Sequence, residues 1–82
     1  MAPQSAQQIA EQAERIYEQR LRATLEKAHP GKFVAIEPVS GDHFLGLTLS
    51  EAGAAARQAH PQNPSYILRI GQKAAVHIGT MA

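Results

Sequence analysis

From Lys32 to Gly71 the chain reads KFVAIEPVSGDHFLGLTLSEAGAAARQAHPQNPSYILRIG, and this stretch decides the fold. Its first segment, 32–37, is apolar on both sides of the alternation, which is typical of the central strand of a sheet. A turn containing Gly and Asp follows, and the chain returns as a second apolar strand over 43–46. Two short strands joined in this way predict a β-hairpin.

The second half of the stretch predicts a helix and a third strand. Thr48 and Glu51 have the spacing of a capping box, which predicts an alanine-rich helix over 49–59. The two prolines within 60–65 prevent a helix from continuing through that segment. The apolar run 66–70 is then a strand, so the order of elements is typical of an α+β domain.

The crossover from the second strand to the third predicts how the sheet is arranged. Because a strand, a helix and a further strand in one sheet connect right-handedly, the second and third strands should be parallel. With the first strand between them, the order is 2-1-3 and all neighbours are antiparallel; the order 1-2-3 stays open. We expect both helices on one face, which would leave an apolar opposite face available as an interface.

A long helix over 6–28 precedes the hairpin. Ser5 and Gln8 form a capping box at its start, and a stripe of apolar residues follows at spacings of three and four. The members of the stripe are Ile9, Ala13, Ile16, Tyr17, Leu21, Leu25 and Ala28. The helix should be about 35 Å long, against about 17 to 20 Å for a strand of five or six residues. We therefore expect its second half to cover the sheet and its first half to project, to fray, or to pack on another copy.

The last segment, 72–82, has two possible roles. Its apolar residues could form an edge strand over 74–78, or the segment could remain a loose tail. With a strand the sheet would have four strands, and without it three.

Composition narrows the class of protein. The chain has 82 residues, no cysteine and a formal net charge of +1. This length predicts one domain, 1–82. The absence of cysteine excludes disulfide bonds. The balanced charge gives little long-range attraction for nucleic acid or anionic lipid. Since neither a signal peptide nor a long apolar run is present, we expect a soluble cytoplasmic protein without membrane contact.

No motif in the sequence predicts catalysis, a metal site or a cofactor. Glu37, Asp42 and Glu51 carry the oxygen ligands that Mg²⁺ prefers, but a turn explains Asp42 and a capping box explains Glu51. The histidines are spread along the chain without the spacing of a metal site. We therefore expect no enzyme, no cofactor and no small-molecule substrate.

Three segments carry a resemblance to known proteins: GKFVAI at 31–36, GLTLSEA at 46–52, and YILRIG at 66–71. Together they resemble a family of small uncharacterised prokaryotic α+β domains. More loosely, they are similar to the antitoxin of HicA–HicB toxin pairs, which has a truncated ribonuclease H-like fold. The resemblance covers about half of the chain and implies a bacterial protein that binds a protein partner. The DNA-binding extension of such antitoxins is absent from this sequence.

Two functions follow as predictions. The first is a protein-interaction module that self-associates as a homodimer, with an antitoxin-like role within that class. Its candidate contact residues are Ile9, Ala13, Ile16, Tyr17, Phe44 and Tyr66. The alternative is a nucleic-acid-binding accessory protein. Its candidate contact residues are Arg15, Arg20, Arg22, Lys27 and Arg69.

Overall fold

The computed structural model describes residues 5–71 and the backbone of residues 75–79. The elements in chain order are α1 (Ala6–Ile16), a π-helical turn (Tyr17–Leu21), α2 (Arg22–Ala28), β1 (Phe33–Glu37), β2 (Asp42–Gly46), α3 (Leu49–Ala59), β3 (Ser65–Arg69) and β4 (Ala75–Gly79). The first three form one continuous helix, called the leading helix below. The predicted α+β class is confirmed.

The strands form one antiparallel sheet in the order β2-β1-β3-β4. The predicted order 2-1-3 is therefore confirmed for the first three strands. Of the two roles open to the tail, the structure shows the edge strand, because β4 pairs with β3. Residues 72–74 and 80–82 lie outside the part of the chain that the structure describes.

The two helices cover opposite faces of the sheet. Val34 and Ile36 of β1 are buried in a cluster with residues of the leading helix. Ala35, with Ile67 of β3, is buried in a second cluster that includes Ala56 of α3. The prediction that both helices share one face is wrong. Because β1 is apolar on both sides, each face has to be covered, and the leading helix covers the face that α3 leaves open.

The first half of the leading helix packs on the sheet. Ile9 and Ala13 of α1 are buried beside Tyr66 of β3, and α1 contacts both β1 and β3. The prediction that this half projects, frays or packs on another copy is therefore wrong, because its apolar face is buried against the sheet of the same chain. Because alanine at position 13 places no bulky side chain between the helix and the sheet, a short apolar face is sufficient to pack α1 against the sheet. Among the described helices, none combines the length and the apolar character needed to cross a membrane.

The π-helical turn keeps the buried side chains of the leading helix on one side. In an uninterrupted α-helix, four residues advance about 40° beyond a full turn, so Leu25 would lie about 160° around the axis from Ile9. The backbone N–H of Arg22 instead bonds to the carbonyl of Tyr17, and this i to i+5 bond accommodates about one extra residue. One residue corresponds to about 100°, which returns Leu25 to within about 60° of Ile9. Both side chains are buried in the same cluster.

Candidate functional site

A buried carboxylate organises the turn between β1 and β2. Glu37, the last residue of β1, has 0 % of its surface exposed. Its carboxylate accepts hydrogen bonds from the backbone N–H groups of Val39 (2.5 Å) and Ser40 (3.1 Å). The side-chain amide of Asn63 donates a third bond, at 3.3 Å. Glu37 thus joins the hairpin turn to the segment between α3 and β3.

These bonds also set the charge state of Glu37. Burial alone would raise the pKa of its carboxyl group, because the ionised form loses hydration. The hydrogen bonds from Ser40, Val39 and Asn63 outweigh burial, and the pKa of Glu37 is lowered from its ordinary value. The carboxylate is therefore ionised at neutral pH although it is inaccessible to water.

His60, the residue that follows α3, completes the cluster. Its Nε2 atom lies 2.8 Å from Oδ2 of Asp42 and 3.3 Å from Oγ of Ser40. Its Nδ1 atom lies 3.7 Å from Oε1 of Glu37. The ring of Phe44 meets the imidazole edge-on, with 6.0 Å between the ring centroids. The turn cluster, defined as Glu37, Ser40, Asp42, His60 and Asn63, therefore connects the hairpin to the end of α3.

The turn cluster contains the residue types of nucleophilic catalysis in a different arrangement. In a Ser-His-Asp triad the serine and the acid meet opposite ring nitrogens, whereas Ser40 and Asp42 both face Nε2 of His60. Glu37 is on the opposite side, but 3.7 Å exceeds hydrogen-bond distance. The Ser40 hydroxyl also accepts a bond from the backbone N–H of Asp42 (3.1 Å). This geometry is that of a clamp on the turn.

The acidic residues considered from sequence do not form one group. Glu37 and Asp42 meet through His60, but Glu51 lies at the other end of β2, where it accepts a bond from the backbone N–H of Leu47 at 3.0 Å. Thr48 accepts from the N–H of Glu51 and caps α3, as its spacing predicts. Within the described residues, no group of three or more His, Cys, Asp or Glu side chains is placed to hold a metal ion.

Most of the predicted contact residues lie in the core. Ile9, Ala13, Tyr17 and Tyr66 are buried, and Ile16 is partly buried against them. Phe44 is partly buried on the α3 side of the sheet and keeps some exposed surface. In this fold the four buried residues expose 5 % of their surface or less and offer almost none of it to a partner. Among residues 5–71, the large apolar side chains that are exposed are Val39 (64 %), Leu45 (36 %) and Leu47 (69 %).

Strand β2 is the exposed edge of the sheet on this side. It pairs with β1 along one side, and no strand pairs with its outer side among residues 5–71 and 75–79. Leu45 and His43 lie opposite Val34 and Ile36, so they are on the face that the leading helix covers. The leading helix packs over β1 and β3, however, and both side chains of β2 remain exposed. The alternation of polar and apolar residues in β2 is typical of a strand with one buried face. Sequence reasoning therefore did not identify Leu45 as an exposed residue.

The basic residues proposed for nucleic acid do not all lie on the same side of the sheet. Arg22 lies between Glu18 (2.8 Å) and Glu26 (3.2 Å), and the hydrogen bond and charge of Glu18 raise the pKa of its guanidinium. Arg69 lies over the ring of Phe33, with 5.7 Å between its guanidinium carbon and the ring centroid. Because Phe33 packs on the α3 side, Arg69 is separated by the sheet from the basic residues of the leading helix.

The charges of the leading helix balance one another. Its basic side chains are Arg15, Arg20, Arg22 and Lys27, and its acidic side chains are Glu11, Glu14, Glu18 and Glu26. A surface with equal numbers of both signs provides little attraction for a phosphate backbone.

No protein-family model, curated protein or solved structure matches this chain. The resemblance to small prokaryotic domains and to HicB-like antitoxins therefore stays a prediction based on the three segments quoted for it.

Proposed function

We propose that this chain is a non-enzymatic protein-interaction module that self-associates as a homodimer through the outer edge of β2. The observation that carries the proposal is the outer edge of β2, with which no strand in the described part of the chain pairs and beside which Leu45 is exposed. An edge strand presents a row of unpaired N–H and C=O groups, which is a template for pairing with another chain. Leu45 adds apolar surface that pairing would bury.

Strand β2 lacks most of the devices that keep edge strands apart. Monomeric proteins protect such edges with lysine, proline or bulges. The sequence of β2, DHFLG, contains neither lysine nor proline, and β2 pairs with β1 without a register shift. The charge of Asp42 is at one end of the strand, where His60 holds it. Beyond Asp42, none of the described strands pairs with this edge.

The turn cluster supports a binding role because it makes β2 rigid. Glu37 fixes the turn that leads into the strand, and the pair of Asp42 and His60 fixes its first residue. A strand that is already ordered loses less conformational entropy on pairing. The cluster therefore presents an ordered edge.

An antitoxin-like role belongs to the same class, since it also consists in binding a protein. The segments at 31–36, 46–52 and 66–71 support it. Co-purification with a toxic protein encoded next to this chain is the corresponding measurement. The nucleic-acid alternative has less support because acidic side chains accompany the basic ones; it predicts oligonucleotide binding at low salt that weakens as salt rises.

Sedimentation velocity of the full chain tests self-association. At tens of micromolar we expect a dimer for the unmodified chain and a monomer for Leu45→Asp, which places a carboxylate on the pairing edge. Val39→Asp is the matched control, because Val39 is an exposed apolar residue of the turn outside β2, and it should remain dimeric. Far-UV circular dichroism should show the same fold in all three. A stable monomer for the unmodified chain would contradict self-association.

A further inference from the structure

We draw no further inference here: the strongest candidate, the turn cluster between β1 and β2, belongs to the site already described, where the hydrogen bonds of Glu37 and His60 hold the turn.

Discussion

The hydroxyl of Tyr66 donates a 2.7 Å hydrogen bond to the carboxylate of Glu14, a residue 52 positions earlier in the chain. Tyr66 belongs to β3 and is buried, so its hydroxyl reaches from the core to the surface of α1. Burial and the bond to Glu14 raise the pKa of Tyr66 to about 12. This bond attaches the first half of the leading helix to the sheet.

Replacing Tyr66 by phenylalanine should release that attachment. We expect Tyr66→Phe to lower the free energy of unfolding in urea by about 1 kcal/mol, the usual contribution of one hydrogen bond. Amide exchange around Ile9 and Ala13 should accelerate as α1 loosens. Tyr17→Phe is the matched control, because the Tyr17 hydroxyl bonds to Glu26 of α2 (3.1 Å) and to the backbone of Gly71, both outside α1. Equal exchange of α1 in both variants would contradict the role of Tyr66.

Neutralising Glu37 should destabilise the hairpin. In Glu37→Gln an amide NH₂ replaces one carboxylate oxygen and faces backbone N–H donors, so charged hydrogen bonds are lost in the interior. We expect the free energy of unfolding to fall by about 2 to 3 kcal/mol. Glu18→Gln changes an exposed pair with Arg22 and should change stability by less than about 0.5 kcal/mol. Similar losses of unfolding free energy in the two variants would contradict the role of Glu37 in holding the turn between β1 and β2.

The lowered pKa of Glu37 predicts how stability depends on pH. A carboxyl group whose pKa is lower in the folded chain than in the unfolded chain stabilises the fold at any pH above the unfolded value, and this contribution is lost as pH falls through the folded value. The ordinary pKa of the Glu37 carboxyl group is 4.5. As pH falls below this value, the unmodified chain should therefore lose more stability than Glu37→Gln does. Parallel profiles from urea unfolding at each pH would contradict this prediction.

The sequence predicted those features that local patterns determine. Both capping residues, Ser5 and Thr48, accept the predicted backbone bonds, and the strand order followed from the apolar character of 32–37 on both sides. The same observation should have indicated that both faces need a cover. Which face the leading helix covers depends on contacts with β3, which no local pattern shows.

The turn cluster and the π-helical turn were missed for different reasons. Glu37 meets Asn63 and His60 across 26 and 23 positions of chain, a proximity that requires the folded sheet. The π-helical turn left a local signal, because Ile9, Ala13, Tyr17 and Leu25 are separated by multiples of four. A strict spacing of four drifts around an α-helix, so a buried stripe of this kind indicates a wider turn.

The contact between Gly46 and α3 predicts a large effect of a small change. A Cβ atom at Gly46 would approach the backbone nitrogen of Ala52 to 2.5 Å, and a backbone atom cannot move aside. We expect Gly46→Ala to reduce the free energy of unfolding by about 2 kcal/mol or more. Gly53→Ala is the matched control, since its Cβ would meet the ends of two side chains, Ile67 at 3.0 Å and Arg57 at 3.6 Å, and no backbone atom among its nearest neighbours, and alanine favours a helix. If Gly53→Ala were the more destabilising variant in urea unfolding, the close packing of α3 on Gly46 would be contradicted.

The π-helical turn predicts that one deletion in the leading helix is tolerated and another is not. Gln19 is exposed within the turn, and deleting it would leave an uninterrupted α-helix in which Leu25 still lies about 60° from Ile9. We expect the free energy of unfolding of this variant, measured in urea, to lie within about 1 kcal/mol of that of the unmodified chain. Deleting Glu11, which is also exposed, would rotate Ile9 by about 100° and place Gln8 in the core position. The free energy of unfolding of that variant should fall by about 2 kcal/mol or more, because burying an isoleucine side chain contributes about 1.5 to 3 kcal/mol to stability. Equal losses from the two deletions would show that the π-helical turn does not align the buried side chains.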